Sequence, residues 1–206
     1  MNAGPTSTRI YEALLHQLRI RGYKPGTRLD PVVLADELRS SPTPVRDALH
    51  ILAGEALVIA LPNGGFTTPV FDERGLADLY AWNGDVLIAA LRSQVMRPVS
   101  PIPEDVKEAE GINLADRIGA VFQWVADDSS NSEHGTAQAR INARLRGARM
   151  AESAFIKDGH EELNAMTICF GHYSFGDMRK LVLRYTNRRK RLVGHILMEM
   201  QLDRSK

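Results

Sequence analysis

The segment Thr43-Pro44-Val45-Arg46-Asp47-Ala48-Leu49 decides the fold of the first third of this 206-residue chain. Ser40-Ser41-Pro42-Thr43-Pro44, which overlaps the start of this segment, breaks the preceding helix, and we expect a new helix to follow and to end near Glu55. Apolar and polar residues fall on opposite sides of this helix. The apolar side consists of Val45, Ala48, Leu49 and Leu52, and the polar side of Thr43, Arg46, Asp47 and His50. Such a helix packs one side on a core and presents the other to solvent or to a partner.

Two helical patterns precede this segment. The first has apolar residues at four-residue spacing, namely Ile10, Leu14 and Leu18. Ser7 or Thr8 can cap this helix, which should end near Gly22. The second starts with Asp30 as its cap and Pro31 in its first turn, where the missing N–H of proline costs nothing. We expect its inward-facing residues to be Val33, Leu34 and Leu38.

After Gly54 the apolar spacing changes from that of a helix to that of strands. Residues 57–61 and 66–70 are strand-like, and Pro62-Asn63-Gly64-Gly65 between them is a hairpin signal. Three short helices followed by a hairpin is the order of elements in a winged helix-turn-helix. The same order also fits a small α+β domain that binds no nucleic acid.

These segments together resemble the DNA-binding domain of the GntR family of regulators. The matching residues are Tyr11, Leu14 to Leu18, Pro25-Gly26-Thr27-Arg28-Leu29, Leu34-Ala35-Asp36-Glu37-Leu38, Thr43 to Leu49, Leu52, Glu55-Ala56-Leu57-Val58 and Asn63-Gly64-Gly65-Phe66. They follow the order and the approximate spacing of the family from Tyr11 to Val70, so the resemblance is specific. It implies a winged helix-turn-helix that binds double-stranded DNA.

The resemblance and the side-chain chemistry together give a set of expected DNA contacts. In a helix-turn-helix the second helix of the pair enters the major groove with its N-terminal residues toward base edges and phosphates. A guanidinium can bind guanine or phosphate through two hydrogen bonds, and glycines allow a close approach of the wing to the DNA backbone. The expected contact residues are Arg28, Ser41, Thr43, Arg46, His50, Asn63, Gly64 and Gly65.

Three of these residues also have a purely structural interpretation. Arg46 can pair with Asp47 or Glu37 on a solvated surface. Thr43 can serve as a helix cap, and His50 can be an ordinary surface residue.

The charge of the chain is low for a protein that binds DNA. Its formal net charge is +1. The GntR pattern usually has a basic residue directly before Thr43, where this sequence has Pro42. Because neutralisation of phosphates supplies much of the affinity for DNA, we expect weaker or differently specific binding, compensated in part by a dimer on two half-sites.

From Asp72 onward the strand signal disappears. Asp72 can cap a helix whose apolar residues lie at helical spacing, namely Leu76, Leu79, Tyr80, Val86, Leu87 and Leu91. A second helix is expected over residues 112–126, and further helices should be interrupted at residues 158–159 and 171–176. The chain is therefore predicted to be mainly α, with a winged helix-turn-helix over residues 1–70 and an all-α antiparallel helical bundle over residues 71–206.

The C-terminal part looks like the effector-binding and dimerisation domain of the FadR-type (FCD-like) branch of the family. That branch often holds a metal with an Asp and a His four residues apart and two later histidines. Ile118 and Phe122 occupy the first pair of positions, Asn187 lies near the last, and His160 is the one candidate match. Apolar side chains cannot bind zinc or a similar ion, so we expect a degenerate site without metal and no other cofactor.

A set of aromatic, methionine and arginine residues is the candidate effector site. Its members are Tyr80, Trp82, Phe122, Arg144 and Met150, which can line a cavity for a small ligand such as an organic acid. The alternative is that these residues are plain core. The run Arg188-Arg189-Lys190-Arg191 on the last helix is expected to be an exposed or interface surface.

These observations favour a dimeric, ligand-responsive repressor that binds an operator in double-stranded DNA. The alternative is a regulator with a degenerated sensor that only dimerises or binds a protein partner. We find no catalytic motif and therefore expect no enzyme activity. The single cysteine, the lack of a signal-peptide pattern and the absence of a long apolar run favour a cytoplasmic protein that does not enter membranes.

Overall fold

The computed structural model describes residues 5–20, 23–62, 64–94, 103 and 112–202, and for residues 5–7, 19 and 20 it describes the backbone alone. The chain divides into two compact units, Met1–Phe71 and Asp72–Lys206. Among the described residues, no helix is both long enough and apolar enough to cross a lipid bilayer.

The first unit combines three helices with a small antiparallel sheet. Its elements are α1 (Pro5–Ile20), β1 (Arg28–Leu29), α2 (Pro31–Glu37), α3 (Pro42–Gly54), β2 (Ile59–Ala60) and β3 (Phe66–Thr67). The strand order is β1-β3-β2. Leu29 pairs with Phe66, and Ala60 pairs with Phe66 from the other side. The predicted winged helix-turn-helix is confirmed, with β1 as a third strand that the sequence pattern did not indicate.

The core of the first unit forms where α1 packs on α3. The apolar side of α3 is wholly buried, and the α1 residues Ile10 and Leu14 join it. The prediction for α2 was wrong in one position, because Val33 is 56% exposed. Leu34 and Ala35 are the buried residues of this helix. A helix of only two turns can turn one narrow stripe inward, and that stripe includes the small Ala35 rather than Val33.

Of the helix starts predicted in this unit, α2 has the predicted cap and α1 does not. The Asp30 carboxylate accepts a hydrogen bond from the Val32 amide at 2.8 Å, with Pro31 at the first helical position, as predicted. α1 begins earlier than predicted, at Pro5, so Ser7 and Thr8 lie inside the helix. Both strands of the hairpin are shorter than the strand-like runs 57–61 and 66–70.

The second unit is all-helical in the part that the structure describes. Its helices are α4 (Glu73–Arg92), α5 (Leu114–Asp127), α6 (Ser132–Glu152), α7 (Gly159–Gly171) and α8 (Phe175–Gln201). Asp72 caps α4 by accepting a hydrogen bond from the Gly75 amide at 2.6 Å, as predicted. The predicted inward face of α4 is buried, and α4 packs most extensively against α8. The mainly α fold class is confirmed.

Candidate nucleic-acid interface and the core of the helical unit

The turn between α2 and α3 sets the direction of α3. The Ser40 amide donates to the Ala35 carbonyl at 2.9 Å, and the Arg39 amide donates to the Asp36 carbonyl at 3.1 Å. Arg39 adopts a left-handed conformation with φ of 48°, which allows the chain to turn sharply. Because the side of α3 that carries Val45, Leu49 and Leu52 is buried, the opposite side of the helix faces solvent.

The exposed side of α3 carries the predicted contact residues. Ser41, Thr43, Arg46 and His50 are all exposed. Ser41 occupies the cap position, and its side chain makes no capping hydrogen bond. Thr43 lies inside the first turn, so its interpretation as the helix cap was wrong. Both hydroxyls therefore lie at the N-terminal end of α3, where a helix in the major groove meets base edges.

The guanidinium of Arg46 has no hydrogen bond or ion pair within the described part of the chain. Neither Asp47 nor Glu37 pairs with it, which removes the alternative interpretation of Arg46 as half of a surface ion pair. An unpaired guanidinium one turn into an exposed helix is available for two hydrogen bonds to guanine or phosphate.

The ring of His50 connects α3 to the sheet. It packs edge-on against Phe66 of β3, with ring centroids 4.9 Å apart and planes at 74°. Phe66 is buried, whereas His50 keeps an exposed surface. His50 therefore has a structural contact and remains accessible to a partner.

The hairpin between β2 and β3 forms the wing. The Leu61 amide donates to the Gly65 carbonyl at 2.7 Å, and the Gly64 amide donates to the Leu61 carbonyl at 3.0 Å. Gly64 has φ of +81°, a conformation that other residues rarely adopt. Asn63, the remaining predicted wing residue, lies outside the described residues.

Arg28 lies on the same sheet as the wing. It is exposed on β1 and pairs in register with Thr67 of β3. The structure thus places Arg28 on β1 of the small sheet and Gly64 and Gly65 in the hairpin loop between β2 and β3. The unit to which they belong has seven basic and six acidic residues, so the positive charge available for DNA is local rather than general.

In the second unit, the predicted effector residues do not form one group. Tyr80 and Phe122 are buried, and both rings lie near Tyr185, with centroid distances of 6.4 Å and 5.1 Å. Trp82 is 52% exposed and lies outside this core, because it follows Tyr80 by two positions on the same helix. Arg144 and Met150 are half-buried on α6.

The core of the helical unit contains polar residues that the sequence interpretation missed. Arg149 is 1% exposed. It donates to the Asn142 carbonyl oxygen Oδ1 at 3.0 Å and to Asn83 Oδ1 at 3.1 Å, and its guanidinium lies 5.1 Å from the centre of the Phe122 ring. Gln138 also donates to Asn83, at 2.9 Å. The sequence pattern gives no sign of this burial, because α6 shows no clear apolar side.

A buried ion pair lies beside this group. Arg189 Nε donates to Glu152 Oε2 at 2.8 Å, both side chains are almost fully buried, and Arg189 also pairs with Glu162. The expectation of an exposed 188–191 surface was therefore wrong for Arg189. A usable signal was present, since Arg189 falls in the same spacing as the buried Val182 and Ile196.

Burial changes the protonation equilibria in this core. Desolvation raises the pKa of Glu152, while Arg189 opposes the rise. Desolvation and the nearby Glu152 also raise the pKa of Tyr80 and of Tyr185. Both tyrosines therefore keep their hydroxyl protons at neutral pH and can donate hydrogen bonds.

The positions that the resemblance assigned to a metal site are apolar or exposed. Ile118 and Phe122 are buried in the core, and Asn187 and His160 are exposed. Within the ranges that the structure describes, no three His, Cys, Asp or Glu residues come together in a way that would hold a metal ion.

Comparison with known proteins gives matches that centre on the first unit. Residues 6–67 match the family model described as bacterial regulatory proteins, gntR family. The chain is 35% identical over 75 residues to the Nta operon transcriptional regulator of Aminobacter aminovorans, which is 36% of each chain. It is 41% identical over 71 residues to the HTH-type transcriptional regulator McbR of Escherichia coli, which is 34% of this chain and 32% of McbR. The matched region thus spans about a third of these relatives.

Solved structures match over most of the chain. A protein described as a transcriptional regulator GntR from Rhodococcus sp. RHA1 has a TM-score of 0.73 at 16% identity and covers 91% of this chain and 97% of its own. E. coli McbR/YncC has a TM-score of 0.67 at 18% identity, with 91% and 96% covered. At this identity the likeness shows the fold, a winged helix-turn-helix followed by a helical unit. Residues 6–67, which form the winged helix-turn-helix, are thus similar to the gntR family of bacterial regulatory proteins.

Proposed function

We propose that this protein is a transcriptional regulator that binds operator DNA as a homodimer, acts as a repressor and responds to a small-molecule effector. The observation that carries the DNA-binding part is the exposed N-terminal end of α3, where Ser41, Thr43 and the unpaired Arg46 lie together. The two relatives with 35% and 41% identity over this region are named as transcriptional regulators, which supports the same role.

The low net charge of the first unit supports the proposal of a dimer. With seven basic and six acidic residues, one unit can neutralise few phosphates. Affinity for DNA depends strongly on that neutralisation, so a single copy should bind weakly. Two copies on two half-sites about one helical turn apart would bind much more tightly.

The helical unit is proposed as the part that dimerises and binds an effector, over residues 71–206, as in the FadR-type (FCD-like) branch with a degenerate metal site. The second candidate is a helical unit that has lost its ligand and only dimerises or binds a protein partner. The buried apolar Ile118 and Phe122, at positions where that branch has metal ligands, favour this alternative. In both candidate functions the protein would act in the cytoplasm, where the chromosome lies.

A binding experiment on Arg46 tests the DNA-binding part. Duplexes enriched by the wild-type protein from a random pool serve as the probe in a gel-shift assay. Arg46→Ala should weaken binding by about fivefold to 150-fold, since loss of one good bidentate contact costs about 1–3 kcal/mol. Arg9→Ala is the matched control, because Arg9 is an exposed arginine of the same unit on α1, and it should leave binding within about twofold.

The experiment has two outcomes that contradict the proposal. Failure to enrich any duplex at low salt would exclude specific DNA binding. Equal affinity of Arg46→Ala and the wild type for an enriched duplex would exclude α3 as the helix that contacts the groove.

A further inference from the structure

The turn between α2 and α3 contains an arginine in an unfavourable backbone conformation. Arg39 has φ of 48°, in the left-handed region that favours glycine. Its amide donates to the Asp36 carbonyl, and the following amide, that of Ser40, donates to the Ala35 carbonyl, so hydrogen bonds on both residues hold the turn in this shape. Glycine would adopt the conformation at lower cost. The geometry of the turn therefore gives no reason for an arginine side chain, and such a strained residue points to a role in function.

The side chain of Arg39 is available to a partner outside the chain. It is exposed, and within the described ranges it makes no hydrogen bond or ion pair. Neither Asp36 nor Glu37, the exposed carboxylates at the end of α2, pairs with it. Arginine is always protonated, and its planar group of N–H donors binds phosphate through two parallel hydrogen bonds.

The start of α3 offers few backbone donors to a phosphate. A helix N-terminus attracts anions because its first amides have no partner within the helix. The first three residues of α3 are Pro42, Thr43 and Pro44, and proline has no N–H, so Thr43 alone among them offers a donor. Arg39 is the only basic residue in positions 29–45, which makes it the source of positive charge on the N-terminal side of α3.

The position of the turn suits a contact with the DNA backbone. When the second helix of a helix-turn-helix enters the major groove, the first helix crosses the DNA backbone. The turn that joins the two helices therefore lies at the edge of the groove. Because consecutive Cα atoms are about 3.8 Å apart, the Cα atom of Arg39 lies within about 8 Å of that of Ser41, the cap residue of α3. An arginine at this point reaches the phosphates that border the groove.

We propose that Arg39 binds a phosphate of the operator and supplies affinity that does not depend on the base sequence. Its guanidinium donates to the phosphate oxygens, while Ser41, Thr43 and Arg46 are directed to the bases. Glycine at this position would relieve the strain and would also remove the contact. The inference rests on the DNA-binding part of the proposed function and adds a phosphate contact from the turn.

Arg39→Gly separates the contact from the fold, because it should change stability and DNA affinity in opposite directions. Relief of the strain should leave the melting temperature of the free, full-length protein equal or raise it by up to about 4 °C. Affinity for a duplex enriched by the wild type should fall about fivefold to tenfold for each Arg39 at about 0.1 M salt, since affinity varies with salt concentration to the power of about −0.9 for each phosphate contact.

The salt dependence of binding gives the decisive measurement. Fluorescence anisotropy between about 0.05 and 0.3 M KCl yields the slope of log affinity against log salt concentration. For Arg39→Gly this slope should be smaller in magnitude by about 1 for each lost contact, and therefore by about 2 for a dimer. Arg39→Lys is the matched control, because lysine keeps the charge and the strained conformation, and it should keep the slope of the wild type.

Selection from a random pool of duplexes distinguishes a phosphate contact from a base contact. A phosphate contact carries no sequence information, so Arg39→Gly should enrich the same sequence as the wild type. Arg46→Ala, which removes a proposed base contact, should relax the sequence that is enriched.

Two results would overturn the inference and leave the proposed function intact. An unchanged salt slope for Arg39→Gly, whatever its affinity, would mean that Arg39 neutralises no phosphate. A different enriched sequence for Arg39→Gly would mean that Arg39 contacts a base. Failure of the wild type itself to enrich any duplex would overturn the proposed function and this inference together.

Discussion

Ala56 lies two residues after the end of α3 in a left-handed backbone conformation, with φ of 57°. Its amide donates to the Ala53 carbonyl at 3.0 Å, so it closes the end of the helix that carries Arg46. Glycine is the usual residue at such a helix end, because a Cβ atom in this conformation clashes with the backbone. Ala56 therefore stores a small strain at the C-terminal end of α3.

Ala56→Gly is expected to stabilise the first unit by about 0.5–1 kcal/mol, because relief of this strain exceeds the entropic cost of glycine. Chemical denaturation measures the change. Ala53→Gly is the control, since Ala53 lies within α3 and the same substitution there should destabilise by about 1 kcal/mol. A lower stability for both variants would contradict the assignment of strain to Ala56.

Among the exposed groups that the structure describes, Asp158 has a clearly lowered pKa. Its carboxylate accepts two hydrogen bonds from the Arg188 guanidinium, at 2.8 Å and 2.6 Å. This pairing lowers its pKa from 3.8 to about 2. Because the pKa is lower in the folded state, the pair stabilises the fold above about pH 4, and this contribution disappears as the pH falls toward 2.

Arg188→Gln is expected to return the pKa of Asp158 toward 3.8, because the guanidinium that stabilises the carboxylate is gone. Carboxyl chemical shifts recorded by NMR between pH 1.5 and pH 6 (roughly the titration range of a carboxyl group) give the value. Arg191→Gln removes an exposed charge of the same helix and should leave the titration of Asp158 near pH 2. Identical curves for the two variants would show that general charge, not pairing, causes the shift.

At the scale of helices, Gly84 of α4 lies against Thr186 of α8. A Cβ atom on Gly84 would lie 2.6 Å from Thr186 Oγ1 and 3.3 Å from Thr186 Cγ2. Gly84 therefore permits the spacing of the two helices that pack most extensively. A glycine within a helix is otherwise unfavourable, so its presence here is explained by packing.

Gly84→Ala is expected to destabilise the protein by about 1–3 kcal/mol, since the added methyl group overpacks a buried helix contact. Thr186→Ala in the same chain should recover most of the loss, with a coupling energy above about 1 kcal/mol. Thermal or chemical unfolding measures all three variants. Gly147→Ala on α6, where the nearest atom is a flexible methionine end at 3.5 Å, should instead stabilise by about 0.5–1 kcal/mol. Equal effects at both glycines would contradict the packing argument.

The helices and strands also show which features local sequence patterns can predict. The Asp30 and Asp72 caps and the two sides of α3 were predicted correctly, because each depends on residues within one or two turns. The wing was predicted as a two-stranded hairpin. β1 joins it through the pairing of Arg28 with Thr67. Because this partner is distant in sequence, the apolar spacing around Arg28 does not indicate the strand.

At the scale of the whole molecule, the proposed dimer has a measurable consequence for DNA. A duplex with two enriched half-sites should bind the full-length protein about a hundredfold to ten-thousandfold more tightly than a duplex with one, because the second contact becomes intramolecular. Fluorescence anisotropy measures both affinities, and sedimentation of the free protein gives its mass. Equal affinity for the two duplexes, or a monomeric mass at the concentration of the assay, would contradict a dimeric regulator.

The sequence by itself determined the fold class of this protein. The winged helix-turn-helix, the exposed side of α3 and the change to an all-helical second unit follow from local periodicity, caps and turn residues, whose physical causes act over a few neighbours. The exposure of Arg46 could be predicted for the same reason, since the apolar residues of its own helix fix which side faces solvent.

Only the tertiary structure decided which partners the buried polar residues of the helical unit have. Arg149 is buried against Asn83 of α4, and Arg189 against Glu152 of α6. A charged side chain is buried only where other helices supply its hydrogen-bond partners. The burial of Arg189 and Arg149 therefore depends on contacts between residues that are 37 and 66 positions apart in the sequence. Contacts of the same kind bury Gln138 of α6 against Asn83 of α4, which no local pattern had indicated.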